Sequence, residues 1–527
     1  MPTVRIGGAP LTVSALDAIA AGHARAVLEP AAQRRMTAGA RRAQRAISRR
    51  RPIYGLNTGV GSFAEVPLDE AQRGALQLNL LRSHAAGAGE PLPAEVVRAL
   101  LALKAHTLAQ GRSGVRPHVA RALLRLLDRG VVPQVPDRGS LGASGDLAPL
   151  AHLALVLVGE GSARTADGRL RGGRAALAAA GLSPLVLEGR EGIALINGTQ
   201  VMTALTALAV AQARRVVTAQ RAAAAMALEA MGCSDNFLTA ALHEARPFRG
   251  QIETARLLRR WVEGSTLLGR AGRVQESYSL RCMPQVLAPV LDGLAFIESQ
   301  LQTELNAASD NPLAVGPGGS FVSGGNFHGQ SIAAAADHLS LLGATLCNLS
   351  ERQINRLLNA HLSGLPPFLV EHQAGLNSGL MVAQYTAAAL TAESRALAHP
   401  SSVDTISVSA DQEDLVPMGM GAALHCRTVI GHATTVVAIH LLVAAQALEI
   451  HQRSSPTART ARGTRAALRA IRKVAPPMTT DRVVSTDIAA LRRLIDSGSF
   501  LTLESRLSAS RRHGREASAR KASESTR

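Results

Sequence analysis

Gly139-Ser-Leu-Gly-Ala-Ser-Gly-Asp-Leu-Ala-Pro-Leu-Ala-His152 contains, at Ala143-Ser144-Gly145, a tripeptide that can turn its own backbone into an electrophile. If the amide nitrogen of Gly145 attacks the carbonyl carbon of Ala143, a five-membered ring closes. Loss of water from the ring and from the Ser144 side chain then leaves an exocyclic methylidene on an imidazolone. Each residue type has a use. Gly145, lacking a Cβ, lets its nitrogen approach closely; Ser144 supplies the hydroxyl that leaves; Ala143 adds little bulk. Taken alone, the tripeptide reads as an ordinary turn before a helix, because a chain with 47 glycines and abundant alanine has many such triplets. Its neighbours along the chain decide between the readings.

From about residue 190 onward the apolar spacing is helical and sustained. It predicts long helices over 196–231 (ending at Gly232 as a cap), 284–308, 328–360, 377–399 and 418–452, with Ser309-Asp-Asn-Pro312 stopping the second. Strand-like alternation is confined to 3–6 and 11–13. Helices this long and apolar need partners on several faces, so a bundle is expected, buried in part between subunits. The division read from the sequence is an active-site domain over 1–190, rich in short elements and Gly/Pro turns, and a helical bundle over 191–500. A basic tail over 501–527, rich in Ser, Arg and Ala, is expected to be disordered.

A formal charge of +18 invites a nucleic-acid reading. Much of the excess sits near the C-terminus, and with aromatic residues at 2% of the chain there is little stacking surface for single strands. A scaffold or nucleic-acid binder using the tail is therefore kept only as the rival from another class. Cys233, Cys282, Cys347 and Cys426 form no Cys-x-x-Cys pair, and no His-Glu-x-x-His occurs, so neither disulfides nor a metal are expected. The first residues carry no secretory pattern. The most apolar stretch, 429–450, contains His432, His440, Gln446 and Glu449 and reads as a core helix, not a membrane span. The expectation is a cytoplasmic protein with neither membrane nor nucleic acid as partner.

The stretch 139–152 closely resembles the signature of the histidine/phenylalanine/tyrosine ammonia-lyase family, and further segments match in the family's order from Tyr54 to Met418. In that family the three small residues form 4-methylidene-imidazol-5-one (MIO). The resemblance implies a mainly α fold, a long-helix bundle of the aspartase/fumarase-like type with a smaller N-terminal domain bearing the MIO. It also implies a homotetramer in which each active site draws on three subunits, and a small amino acid as substrate.

Ammonia elimination from an α-amino acid has three needs: an electrophile for the amine, a base for the weakly acidic β-proton and a clamp for the carboxylate. The base candidate is Tyr54, in Pro52-Ile-Tyr-Gly-Leu-Asn-Thr-Gly, one of only three tyrosines. To serve at ordinary pH its pKa must be lowered by a cation or by the electrophile's dipoles. Arg281, in Gln275-Glu-Ser-Tyr-Ser-Leu-Arg281, offers a bidentate fork for a carboxylate. The resemblance places Gln275 and Tyr278 in the site with it, assigns Asn197 to holding substrate or MIO, and puts Phe327 beside the MIO. Read from the residues alone, Asn197 is an N-cap of the long helix that follows.

Ser83-His84 and Glu413 look like the family's histidine lyases, where relatives acting on phenylalanine or tyrosine tend to carry Phe-Leu or His-Leu and Gln. An imidazole and a carboxylate can orient a substrate imidazole, whereas a phenyl ring would leave both unpaired. The expected reaction is thus L-histidine to trans-urocanate and ammonia, with a lyase or 2,3-aminomutase for tyrosine or phenylalanine as the alternative. Met283, Tyr385, Leu415 and Pro417 depart from the histidine-lyase pattern and leave the substrate open, as does the Glu-Ser pair between Gln275 and Tyr278.

Overall fold

The chain is mainly helical in a computed structural model that describes residues 1–48 and 52–509. Its long helices run Gln200–Ala230, Met283–Glu304, Gln330–Leu358, Met381–Leu397 and Gly419–Ser454. The glycine stop after the first holds: Gly232 adopts φ +56 and the Cys233 N–H returns to Leu228 O, a left-handed cap. The start of that helix differs. Residues before it form a separate short helix, Glu191–Ile196, and Asn197 leaves that helix with extended backbone (φ −85, ψ 133). Asn197 therefore closes one helix and does not cap the next.

The strand expected over 3–6 forms as Thr3–Ile6 and pairs in parallel with Arg25–Leu28. The one expected over 11–13 does not form. The Thr12 side chain accepts the Ala15 N–H and caps the helix Val13–Ala20, and the buried Leu11 and Val13 enter the core as that helix packs.

Two compact units result, neither continuous in sequence. The first comprises Met1–Ala211, Ile297–His338 and Pro400–Arg427; the second comprises Gln212–Phe296, Leu339–His399 and Thr428–Arg527. The boundary expected at 190 falls inside the first unit.

In the first unit the helix Leu147–Leu157 is apolar on nearly every side, so it must be covered all round. It packs against Glu70–His84 and Glu191–Ile196, which also pack against each other. This three-helix contact places the end of one helix (His84), the loop entering the second (143–146) and the residue leaving the third (Asn197) close together. Each member is fixed locally. Asp69 and Gln72 form a reciprocal capping box at the start of Glu70–His84. Glu191, buried, takes a two-pronged pair from Arg116 at 2.8 and 2.8 Å. Beside it Arg190 and Asp310, both fully buried, make a second fork at 2.7 and 3.1 Å.

The second unit joins its helices through polar contacts such as Gln220 to Gln353, buried, at 3.2 Å and Ser394 to His432, partly buried, at 3.1 Å. The expected disordered tail is corrected over its first residues: 501–509 are helical. Glu504 accepts from the guanidinium of Arg221 at 2.6 and 2.9 Å and from the indole of the fully buried Trp261 at 2.8 Å, which pins this segment. Residues 510–527 of the tail lie outside the described residues. Gln330–Leu358 and Gly419–Ser454 are long and apolar enough to cross a membrane, but 72% and 78% of their most apolar windows are buried within the protein, as in core helices.

Candidate active site

The tripeptide sits in a loop built from left-handed glycines. Gly139, Gly142 and Gly145 have φ of +124, +82 and +75, conformations that residues with a Cβ rarely adopt. At Gly145 space adds to this, because a Cβ there would stand 2.3 Å from Gly198 O and 2.6 Å from Gly198 N. The loop is clamped on several sides. Asp146 N donates to Gly198 O at 2.8 Å, Gly329 N to Gly142 O at 3.0 Å and Gly419 N to Leu141 O at 3.1 Å. Beneath it the buried carboxylate of Asp146 accepts from Ser140 Oγ at 2.9 Å and from Val201 N and Met202 N at 2.9 and 3.0 Å. Those two amides belong to the first turn of Gln200–Ala230, whose positive dipole end suits an anion. Burial nevertheless raises the Asp146 pKa to about 6, against the lowering by these hydrogen bonds and by Lys104.

Ser144 opens into a cavity of about 870 Å³ that Tyr54, His84, Asn197 and Glu413 also line. Ser144 Oγ donates to Glu413 Oε1 at 2.7 Å, and Asn197 Nδ2 donates to Ser144 O at 3.0 Å. His84 Nδ1 lies 3.1 Å from Ser83 Oγ. Tyr54 Oη accepts the Gly61 N–H at 2.9 Å. Five of the predicted site residues, from sequence positions 54 to 413, thus share one cavity, and Ala143 and Gly145 are buried beside it.

Glu413 is held by a strained loop. Ser409, Ala410 and Asp411 all have positive φ, of 55, 51 and 63, a cost of about 1–3 kcal/mol per residue that the surroundings must offset. Val408 and Glu413 exchange backbone hydrogen bonds at 3.1 and 3.3 Å across this turn. Val416 N donates to Thr405 Oγ1 at 2.9 Å, and Ser407 Oγ donates to the Asp411 carboxylate.

The electrostatics correct one expectation. Burial raises the Tyr54 phenol above its ordinary value, the Gly61 N–H opposes this, and the negative charge of Glu413 raises it further. The lowering expected of a base does not arise from these neighbours, because the charge facing Tyr54 is a carboxylate. Burial lowers the His84 pKa, with a hydrogen bond to Leu80 O and the Glu413 charge opposing, which favours a neutral ring.

Gln275, Tyr278, Arg281 and Phe327 do not line this cavity. The first three belong to the second unit, where Tyr278 begins the short helix Tyr278–Arg281 with 71% of its surface exposed and the Arg281 guanidinium lies 4.8 Å from its ring centre. Phe327 belongs to the first unit and is half-buried.

Sequence reasoning missed Asp146 and Lys104. Lys104 is fully buried in Ala94–Ala109 and donates to Asn197 O at 2.7 Å and Gln200 Oε1 at 3.2 Å. Burial lowers its pKa to about 7. A signal existed: it is one of three lysines among 57 basic residues and the only one in an apolar helix of this first half. The hydroxyl-bearing tripeptide, a phenol, an imidazole, a carboxamide and a carboxylate around one cavity supply an electrophile precursor, acid–base groups and donors for an amino-acid side chain.

The chain matches the aromatic amino acid lyase family over residues 11–473. It is 47% identical to the histidine ammonia-lyase of Anaeromyxobacter dehalogenans over 512 residues, covering 95% of this chain and 100% of that one. Among solved structures it is similar to the histidine ammonia-lyase of Trypanosoma cruzi, with a TM-score of 0.89, 38% identity and 96% of each chain covered. The tyrosine aminomutase of Streptomyces globisporus is as similar in fold, with a TM-score of 0.89, 37% identity and 96% and 99% of the two chains covered.

Proposed function

The chain belongs to the aromatic amino acid lyase family, and from that premise we propose that it is a histidine ammonia-lyase, converting L-histidine to trans-urocanate and ammonia. The observation that carries the choice of substrate is that His84 and Glu413 line the same cavity as Ser144. A site built around an imidazole and a carboxylate has partners for the ring nitrogens of histidine, and those partners would be left unpaired against a phenyl ring.

Residues 143–145 fit an MIO. Gly145 has space for no side chain, Gly198 holds it from the other side, and Asn197 donates to the carbonyl oxygen that would become the imidazolone oxygen. Once formed, the MIO would bond the substrate amine and make it a better leaving group. The chain's other side chains do the rest. Tyr54 takes the β-proton, and a phenol whose pKa is held high is a strong base once ionised. His84 and Glu413 orient the imidazole. Asn197 keeps its amide on the Ser144 carbonyl, and Lys104 fixes the Asn197 backbone.

The clamp comes from elsewhere in the assembly. In a homotetramer, Gln275, Tyr278, Arg281 and Phe327 of other copies complete the cavity, which accounts for their absence from its wall within one chain. An Arg281 guanidinium brought in this way pairs with the substrate carboxylate and also opposes the effects that raise Tyr54. The exposed Val274 and Tyr278, at 99% and 71%, suit a surface that another copy covers. The reading includes a cytoplasmic location and needs no metal. Replacing Ser144 with Ala tests it: intact mass should show no loss of the side-chain water and turnover should vanish. Turnover surviving in Ser144→Ala would overturn the electrophile.

A further inference from the structure

The loop that carries Gln275, Tyr278 and Arg281 turns an acid inward. From Ala271 to Gln275 every residue is exposed, as is Tyr278, whereas Glu276 between them is only 6% exposed. Both of its carboxylate oxygens are engaged: Ser234 N donates to Oε1 at 3.1 Å and Arg273 Nη1 to Oε2 at 3.2 Å. The buried Cys233 thiol lies beside the same carboxylate, its pKa raised by burial and by that charge. A buried carboxylate is costly unless it is paired and hydrogen-bonded, so these partners dictate where the backbone of Glu276 can sit.

The chain leading to it is tied to the turn that ends Gln200–Ala230. Gly269 N donates to Cys233 O at 2.8 Å, Ala271 N to Gly232 O at 3.0 Å and Arg273 Nη1 to Met231 O at 3.4 Å. Past Arg273 the next ties are those of Glu276, and then Gln353 Nε2 donating to Ser279 O at 2.7 Å, all within the second unit. The guanidinium that this loop carries is held more loosely. Arg281 Nε is buried with no hydrogen-bond partner among the described residues, and the guanidinium rests 4.8 Å from the Tyr278 ring centre. We infer that Glu276 is a positioning residue for the substrate carboxylate: its bonds to Ser234 N and Arg273 fix the loop that presents Gln275, Tyr278 and Arg281. The inference rests on the reading of those three residues as the clamp that one copy supplies to another copy's cavity.

A clamp works by holding the substrate in register, and a displacement of about 1 Å at such a group can cost roughly 10² in rate. Removing the Glu276 carboxylate leaves Ser234 N–H unpaired and Arg273 without its counter-ion, so the segment between Arg273 and Ser279 loses its inward anchor. The consequence is specific to one part of the substrate. Ser144, Tyr54, His84 and Glu413, which serve the amine, the β-proton and the ring, belong to the first unit, and Glu276 belongs to the second. A change at Glu276 is therefore felt by ligands through their carboxylate, and not through their ring or amine.

The test compares full-length wild type, Glu276→Ala, Glu276→Gln and Arg281→Ala in steady-state ammonia release from L-histidine and in inhibition by two probes. Imidazolepropionate keeps the ring and the carboxylate without the amine; histamine keeps the ring and the amine without the carboxylate. In Glu276→Ala the KM for histidine should rise and imidazolepropionate should bind roughly 10- to 100-fold more weakly, with histamine within about threefold of wild type. Glu276→Gln, which can still accept from Ser234 N but has no charge for Arg273, should fall between. Arg281→Ala should show the same pattern, and adding Glu276→Ala to it should cost little more, because the two act on the carboxylate as one unit. Equal weakening of both probes would make Glu276 a residue of the fold only, and unchanged binding of imidazolepropionate would mean that the clamp is placed without it. Either result overturns the inference. Wild-type protein that neither releases ammonia from histidine nor binds either probe would remove the histidine-lyase reading itself, a separate outcome.

Discussion

Cutting the amide of Asn197 back to a methyl distinguishes a structural hydrogen bond from a catalytic one. Asn197 Nδ2 donates to Ser144 O at 3.0 Å, and its Oδ1 is buried without a hydrogen-bond partner, so the side chain is present for its donor. As a neutral bond in a folded protein that donor is worth about 0.5–1.5 kcal/mol. Removing the unpartnered Oδ1 costs nothing further, so Asn197→Ala should unfold close to wild type. Turnover should respond differently. In an MIO the bonded oxygen would be the imidazolone oxygen, conjugated with the methylidene, and would gain negative charge as an amine bonds there. Loss of a donor placed for such charge costs about 10²–10³ in kcat, roughly 3–4 kcal/mol. Asn197→Asp sharpens the comparison, since it keeps the shape and exchanges the donor for a repelling acceptor. The assay is steady-state ammonia release beside thermal unfolding, with the mature fraction measured by intact mass so that a maturation defect is not read as a catalytic one. A kcat within about tenfold of wild type in fully matured Asn197→Ala would refute the reasoning, and so would a fall in activity explained by loss of fold.

Other consequences are as direct. Because burial and the charge of Glu413 both push Tyr54 up, the phenolate fraction grows with pH, so activity should climb toward and beyond the ordinary tyrosine value of about 10. Tyr54→Phe should flatten that limb and lower kcat by roughly 10²–10⁴; a variant that keeps the limb would place the base elsewhere. Gly198→Ala should strain the seat of the tripeptide without touching its chemistry. The residue has φ +122, and a Cβ would lie 2.8 Å from Ser309 O and 2.7 Å from the Gln200 side chain. The combined backbone and overlap cost is roughly 2–6 kcal/mol. Lower thermal stability and incomplete water loss by mass are expected, and wild-type values for both would contradict the role given to the contact between Gly145 and Gly198.

What could be read in the sequence was whatever is carried by local pattern. Long apolar periodicity located Gln200–Ala230 and its four companions to within a few residues, and the glycine after the first marked its end through a positive φ that glycine adopts without cost. That Tyr54, His84, Ser144 and Glu413 would lie together was legible because each sits in a short motif whose residue types suit one chemistry, and the four line one cavity. Groups that act through long-range contact were not. Asp146 stands inside the quoted stretch, but its function as an anion beneath a helix start appears only when residues 55 and 56 positions away fold onto it. Lys104 bonds a carbonyl 93 positions along the chain. The positive φ values at Ser409 and Ala410 have no signature either, since neither residue type favours that region and the strain is imposed by what surrounds the loop. Asn197 misled for a related reason: an asparagine before a helix reads as its cap, and nothing local shows that a short helix ends on it and that its amide is used by Ser144 instead.

The central claim, histidine as the substrate of an eliminating enzyme, is tested most directly by offering purified full-length protein L-histidine, L-tyrosine and L-phenylalanine in parallel. Ammonia release and ultraviolet absorbance of the product would be followed together. The account predicts ammonia and trans-urocanate from histidine, with the other two amino acids turned over poorly or not at all. Silence on histidine with turnover of tyrosine or phenylalanine, or a β-amino acid in place of urocanate, would contradict it.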